Sequence, residues 1–174
     1  AARHGRGVLW RPILLGAVFK VSGMSAMMHQ PLRGDYLRHD VVRFARLLGV
    51  ALTMPAVVPV NGIAASRAYY WLEEIDAAAA RRLAKAVYHA HWGEGRDVGA
   101  AATVAEIGAG LGLDAAELLK GIHSPAVKER LRTETDTAIA RGVFGAPFFF
   151  VDGEPFWGAD RLDQIERWLS SGGW

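Results

Sequence analysis

The feature that most constrains this chain is a hairpin near its C-terminus. Phe148-Phe149-Phe150-Val151, Asp152-Gly153, Glu154-Pro155-Phe156-Trp157 reads as strand, tight turn, strand. A two-stranded hairpin is not stable alone in water, so other elements must extend or cover it. The one other strand-like run is Val8-Leu9-Trp10-Arg11-Pro12-Ile13-Leu14-Leu15, a short apolar stretch following Gly5 and Gly7. Val8 to Leu15 is therefore expected to be a strand that joins the hairpin. Whatever lies between becomes an insertion into a small α/β sheet domain. Three strands and one helix look incomplete, and this arithmetic predicts that a first strand and most of a first helix precede Ala1.

The middle of the chain reads as helix after helix. The stretch from Gly16 to Gly34 is broken by glycine and Pro31 and reads as loop with one turn of helix at most. From Asp35 to Leu48, apolar Leu37, Val41, Phe44, Ala45 and Leu48 recur at three- and four-residue intervals, with Gly49 where a C-cap belongs. Pro55 and Pro59 make Val50 to Asn61 an extended connector. Ile63 to Ile75, Asp76 to His91, Asp97 to Leu111 and Asp114 to Ile122 follow as helices, Asp114 and Glu117 having capping-box spacing. Ser124-Pro125 offers an N-cap and a first-turn proline for a helix to Arg141, and Asp160 to Leu169 closes the chain as a helix.

Composition then removes whole classes of function. With 51% hydrophobic and 22% charged residues, a chain of 174 residues can build a core and is not globally disordered. No apolar run is long enough for a membrane span, and no apolar segment of a signal peptide opens the chain; cytoplasm is the default expectation. There is no cysteine, which removes disulfide exchange, thiolate zinc sites and a protein cysteine nucleophile. Net charge is only +2 although the pI is 9.2, and the arginines are scattered rather than clustered, which argues against a nucleic-acid surface. His89 and His91 stand two apart, which on a helix points them about 200° apart, so no metal is expected there.

Five places carry chemistry worth weighing. Gly145-Ala146-Pro147 leads into the first hairpin strand; locally it reads as a trans proline at a strand's first residue, since only about one X-Pro bond in twenty is cis. The alternative is a cis bond that exposes the Ala146 backbone to an extended, peptide-like ligand. Trp157-Gly158-Ala159-Asp160-Arg161 lies between a strand and the last helix. Asp160 there is either an N-cap or the receiver of an ammonium group. Lys20 is either a solvated loop lysine or a point charge for a carboxylate. Asn61-Gly62 is either a turn with a cap or an amide offered to a ligand. Gly108, Gly110 and Gly112 need nothing beyond helix termination, because no strand leads into them.

Trp92-Gly93-Glu94-Gly95-Arg96-Asp97, Gly142-Val143-Phe144-Gly145-Ala146-Pro147-Phe148-Phe149-Phe150-Val151 and Phe156-Trp157-Gly158-Ala159-Asp160-Arg161 together resemble the 2-hydroxychromene-2-carboxylate isomerase family. That family is related to kappa-class glutathione transferases and to the DsbA-like thioredoxin branch, and the resemblance runs over essentially the whole chain. It implies a thioredoxin-like α/β fold from residues 1–34 and 142–174, with residues 35–141 as a large inserted all-α domain. It also implies a cis Ala146-Pro147 bond. Glutathione is the implied cofactor, its cysteinyl backbone pairing with Ala146 before Pro147 and its γ-glutamyl end received at Ala159, Asp160 and Arg161. Lys20 and Asn61 fall where the family places substrate-binding groups. The family's serine that contacts the glutathione sulfur has no counterpart here and is expected before Ala1.

The activity implied is a glutathione-dependent cis–trans isomerisation of an aromatic-derived 2-oxo acid. The thiolate adds to the conjugated double bond, the bond rotates, and elimination regenerates the thiol, so a chain without cysteine is sufficient. A glutathione transferase or peroxidase, and a non-catalytic binding module, are the alternatives. A homodimer is the expected assembly, with no nucleic-acid or membrane partner.

Overall fold

The computed structural model describes residues 1–174. Helix α3 (Ile63–Ile75) is its central member and packs against α4 (Ala77–Tyr88), α5 (Ala101–Gly110), α6 (Ala115–His123) and α7 (Pro125–Ala140). Their shared core includes Tyr70, Leu83, Val104, Leu118, Ile122 and Leu131, all but excluded from solvent. Two glycines set the spacing. A Cβ on Gly108 would fall 2.6 Å from Leu118, and one on Gly121 would strike the Trp71 indole, so α5 and α3 each approach α6 across a bare backbone.

The caps follow the sequence. Asp76 accepts from the N–H groups of Ala78 and Ala79, Asp114 from Ala116 and Glu117, and Ser124 from Val127 ahead of Pro125 in the first turn of α7. Helix α2 (Arg33–Leu48) ends at Gly49, which takes the left-handed φ of 64° that a side chain disfavours. Helix α5 begins later than the pattern predicts, at Ala101, because the Asp97 carboxylate accepts from the Gly99 N–H and holds a turn instead. Helix α4 stops at Tyr88, and a single π turn over His89–Gly93 follows.

The sheet has two strands, β1 (Phe148–Val151) and β2 (Glu154–Trp157), paired antiparallel with Phe149 opposite Phe156. Asp152 and Gly153 both have positive φ (53° and 91°), as the favoured two-residue hairpin turn requires. A 3₁₀ turn (Ala159–Arg161) and α8 (Leu162–Ser171) complete this unit, with Phe156 buried edge-on against Trp168 at 5.7 Å.

The expectation of an N-terminal strand is corrected here. Residues 8–14 are irregular and join no ladder, and Leu15 opens a helix, α1 (Leu15–Ser22). The reason lies in where the polar backbone groups of this segment go. The Pro12 carbonyl accepts from the Tyr70 hydroxyl at 2.7 Å, and the Leu14 N–H donates to Thr135 Oγ1 at 3.1 Å. Trp10 and Leu14 pack on the helical core, so the segment docks on α3 and α7 rather than on the hairpin. The loop expected from Gly16 to Gly34 is also replaced, by α1 and a 3₁₀ turn at Met27–His29. Val18, buried to 1% exposure, anchors α1.

Around this docking lies a partly buried charge cluster. Arg130 on α7 bonds Glu73 at 2.8 Å and Glu74 at 2.9 Å, lies 4.9 Å from the Tyr70 ring centre, and Arg11 reaches Glu73 at 3.2 Å. Burial works against the Arg130 charge, but hydrogen bonding to Glu74 and the fields of Glu73 and Glu134 outweigh it and raise its pKa. Burial likewise pushes the Tyr70 hydroxyl well above the usual phenol range, which keeps it a donor to Pro12. Tyr70→Phe removes that donor and leaves the Pro12 carbonyl without a partner; it should lower unfolding free energy by about 1–3 kcal/mol in urea titrations, and an unchanged midpoint would refute this role.

Candidate functional site

The C-terminal segments singled out in the sequence come together. The Ala146-Pro147 bond is cis, as the family resemblance implied and the local pattern alone did not. The Pro147 carbonyl accepts from the Gly158 N–H at 3.0 Å, so the residues before β1 lie beside those after β2. Gly145 sits directly under the Trp157 indole, with no room for a Cβ, and Phe144 stacks edge-on against Trp157 at 4.8 Å and Phe148 at 5.5 Å. Ala146 is exposed, and neither its N–H nor its carbonyl has an intramolecular hydrogen bond. An exposed, unpaired residue held beside a strand is suited to accept one more extended peptide unit.

Asp160 does not cap the last helix, which corrects that expectation. The 3₁₀ turn intervenes, α8 begins at Leu162 after Arg161, and no side chain caps either element. The Asp160 carboxylate instead folds back over Gly158, whose φ of 106° only glycine adopts readily, and takes the Arg161 guanidinium at 2.9 Å. This leaves an exposed pair of opposite charges on the same rim as Ala146. Ala159 contributes the first residue of that turn.

Asn61 makes the turn that one of its two readings expected. Its Oδ1 accepts from the Ile63 N–H at 3.1 Å at the start of α3, while its amide nitrogen has no partner in the fold. It stands beside Gly99 and Asp97, next to the loop that carries Trp92 to Asp97. That loop is held from two sides: the Trp92 carbonyl accepts from Thr53, and buried His91 bonds the Arg96 carbonyl through Nδ1 at 2.9 Å. Lys20 lies in the last turn of α1 rather than in a loop, exposed and outside every ion pair. No hydrogen bond or ion pair joins Lys20 or Asn61 to the Ala146 and Asp160 rim. His89 is exposed beside Glu94, whereas His91 is buried.

Two groups escaped the sequence reading. Tyr70 is buried on α3, and Arg67, four residues after Ile63 and three before Tyr70, is half-buried on the same side of the helix. That spacing placed a charged residue inside an apolar stripe, and it was the available signal.

Residues 2–170 match the family model described as the DSBA-like thioredoxin domain. A 2-hydroxychromene-2-carboxylate isomerase of Sphingobium xenophagum is 35% identical over 130 residues, covering 75% of this chain and 65% of that protein. The namesake of Pseudomonas putida is 35% identical over 132 residues, 76% of this chain and 63% of its own length. The chain thus spans less than two thirds of the length of these curated relatives. A solved structure of 2-hydroxychromene-2-carboxylate isomerase superposes with a TM-score of 0.84 at 31% identity, covering 98% of this chain and 83% of that one. This chain therefore belongs to the DSBA-like thioredoxin-domain family, and its sequence and fold group it with the 2-hydroxychromene-2-carboxylate isomerases within it.

Proposed function

We propose that this protein is a glutathione-dependent isomerase of an aromatic-derived 2-oxo acid of the 2-hydroxychromene-2-carboxylate type. The observation that carries the reading is the likeness to 2-hydroxychromene-2-carboxylate isomerase along nearly the whole chain. The rim formed by Ala146 and Asp160 supports the cofactor. The unpaired Ala146 backbone beside Pro147 fits the cysteinyl unit, and the exposed Asp160 and Arg161 pair offers opposite charges to a γ-glutamyl group that carries both an ammonium and a carboxylate. Ala159 and Pro147 shape the rim on either side. Glutathione bound there would supply the thiol chemistry that a chain without cysteine lacks.

Lys20 and Asn61 are assigned to the substrate. An unpaired ammonium suits its carboxylate, and an amide N–H without an acceptor suits its carbonyl oxygen. The division into residues 1–34 with 142–174, and 35–141, belongs to the same proposal, as do a cytoplasmic location and a homodimer. No helix is long and apolar enough to cross a membrane.

Isomerisation of 2-hydroxychromene-2-carboxylate, followed by absorbance with and without glutathione, tests the reading. Turnover should depend on glutathione while free thiol stays constant. Turnover at the same rate without glutathione would sink the proposal. Net loss of thiol would favour a transferase instead, the activity named for the kappa 2 glutathione transferase of Caenorhabditis elegans, which is 27% identical over 152 residues.

Asp160→Asn separates a binding role from a structural one. Because Asp160 makes no cap hydrogen bond, the melting temperature without ligand should not change. Losing one charge-assisted hydrogen bond of roughly 1.5–3 kcal/mol should weaken glutathione binding by about tenfold to a hundredfold. Calorimetric titration giving the wild-type affinity would remove Asp160 from the site.

A further inference from the structure

A cleft of about 280 Å³ opens between α1, α3 and α7, away from the Ala146 and Asp160 rim. Leu14, Ala17 and Leu131 give it apolar walls, and Arg67, Lys128 and Arg132 bring three cations to it. Asp136 is the one carboxylate in the lining, and Arg132 already engages it at 3.5 Å while also pairing with Glu129. The acids farther along α3 and α7 are taken by Arg11 and Arg130, so no ion pair falls to Arg67 or Lys128.

Arg67 is the telling group. Its Nε is sealed from solvent and has no hydrogen-bond partner. Burying that donor without a partner is costly, the rest of the half-buried side chain lines the cleft, and its planar fork matches a carboxylate. The first turn of α1 agrees with this. It contains no acidic residue and no side-chain cap, and its Leu15 and Gly16 N–H groups are free, between Leu14 and Ala17 of the lining.

We propose that this cleft binds a small carboxylate with an apolar body. The carboxylate sits between Arg67 and Lys128, and the hydrocarbon part covers Leu14, Ala17 and Leu131. A bare inorganic anion would leave those walls in water, which is why the ligand class is an organic acid. The site is distinct from the glutathione reading: it contains no residue of the C-terminal unit, and Lys20 is outside its lining, three residues or roughly 4.5 Å beyond Ala17 along the axis of α1.

The test is an NMR titration of the ¹⁵N-labelled chain, without glutathione, using sodium benzoate, neutral benzamide and inorganic phosphate as probes. Benzoate should shift the Leu15 and Gly16 amides and the Arg67 Nε–H saturably, and benzamide and phosphate should bind at least tenfold more weakly. Arg67→Met should cut benzoate affinity at least tenfold while leaving the melting temperature of the free protein unchanged or higher, since a buried unpaired donor is removed. Lys128→Met, at an exposed position of α7, should weaken benzoate severalfold and covers the case in which Arg67→Met does not fold. Benzoate affinity retained in the folded variants, equal binding of benzamide or phosphate, or no shift at these amides would each overturn the proposal.

Discussion

The hydrogen bond from Tyr70 to the Pro12 carbonyl is the tie on which the arrangement depends. It joins the N-terminal segment to the centre of the helical body, and it does so from a side chain with no exposure to solvent. Proline at position 12 cannot donate to a neighbouring strand, but its carbonyl still needs a partner. Tyr70 supplies that partner, Thr135 of α7 holds the Leu14 N–H two residues later, and α1 then starts against α7. The charges of Arg11, Glu73, Arg130 and Glu134 close over this junction. Exposed ion pairs would add little; here the carboxylate of Glu73 keeps only 16% exposure, so its partners matter to whether the junction is satisfied at all.

The C-terminal unit is attached more lightly, and the proposed chemistry follows from that. Arg6 pairs with Asp152 in the hairpin turn, His4 lies 2.7 Å from Glu166 of α8, and Arg141 stacks 3.8 Å from the Phe150 ring centre. Within the unit, packing is aromatic: Trp157 covers Gly145, and Phe156 rests on Trp168. This fixes the backbone at Ala146 without consuming its hydrogen-bonding groups. A rigid residue with free N–H and carbonyl groups can pair with a ligand at little ordering cost. The two proposals thus rest on different surfaces: free backbone groups and paired charges at the C-terminal rim, and the unpaired Arg67 and Lys128 beside apolar walls at α1.

Much of the helical body was legible in the sequence because capping chemistry is local. Asp76, Asp114, Ser124-Pro125 and Gly49 marked helix ends that the structure reproduces. Asp152-Gly153 similarly announced its turn. What could not be read was tertiary competition. Val8 to Leu15 has strand composition, yet Tyr70 and Thr135, far along the chain, claim its polar groups. Asp160 has the identity of a cap, but the backbone turns once more before α8 begins. The cis bond at Pro147 was invisible to local pattern and was supplied by the resemblance of the longer motif. Arg67 was overlooked because a lone arginine on a helix ordinarily reaches water along its whole polar end, whereas here its Nε is sealed beside the α1, α3 and α7 cleft.

We propose peptide-like recognition of glutathione at the rim where the Gly158 N–H bonds the Pro147 carbonyl, between Ala146 and Asp160. Mapping backbone amide shifts of the labelled chain during a glutathione titration tests it most directly. Saturable shifts should concentrate at Ala146 and at Gly158 to Arg161, with Tyr70 and the helical core unmoved. Saturable shifts confined to the α1, α3 and α7 cleft, or none up to millimolar glutathione, would contradict it.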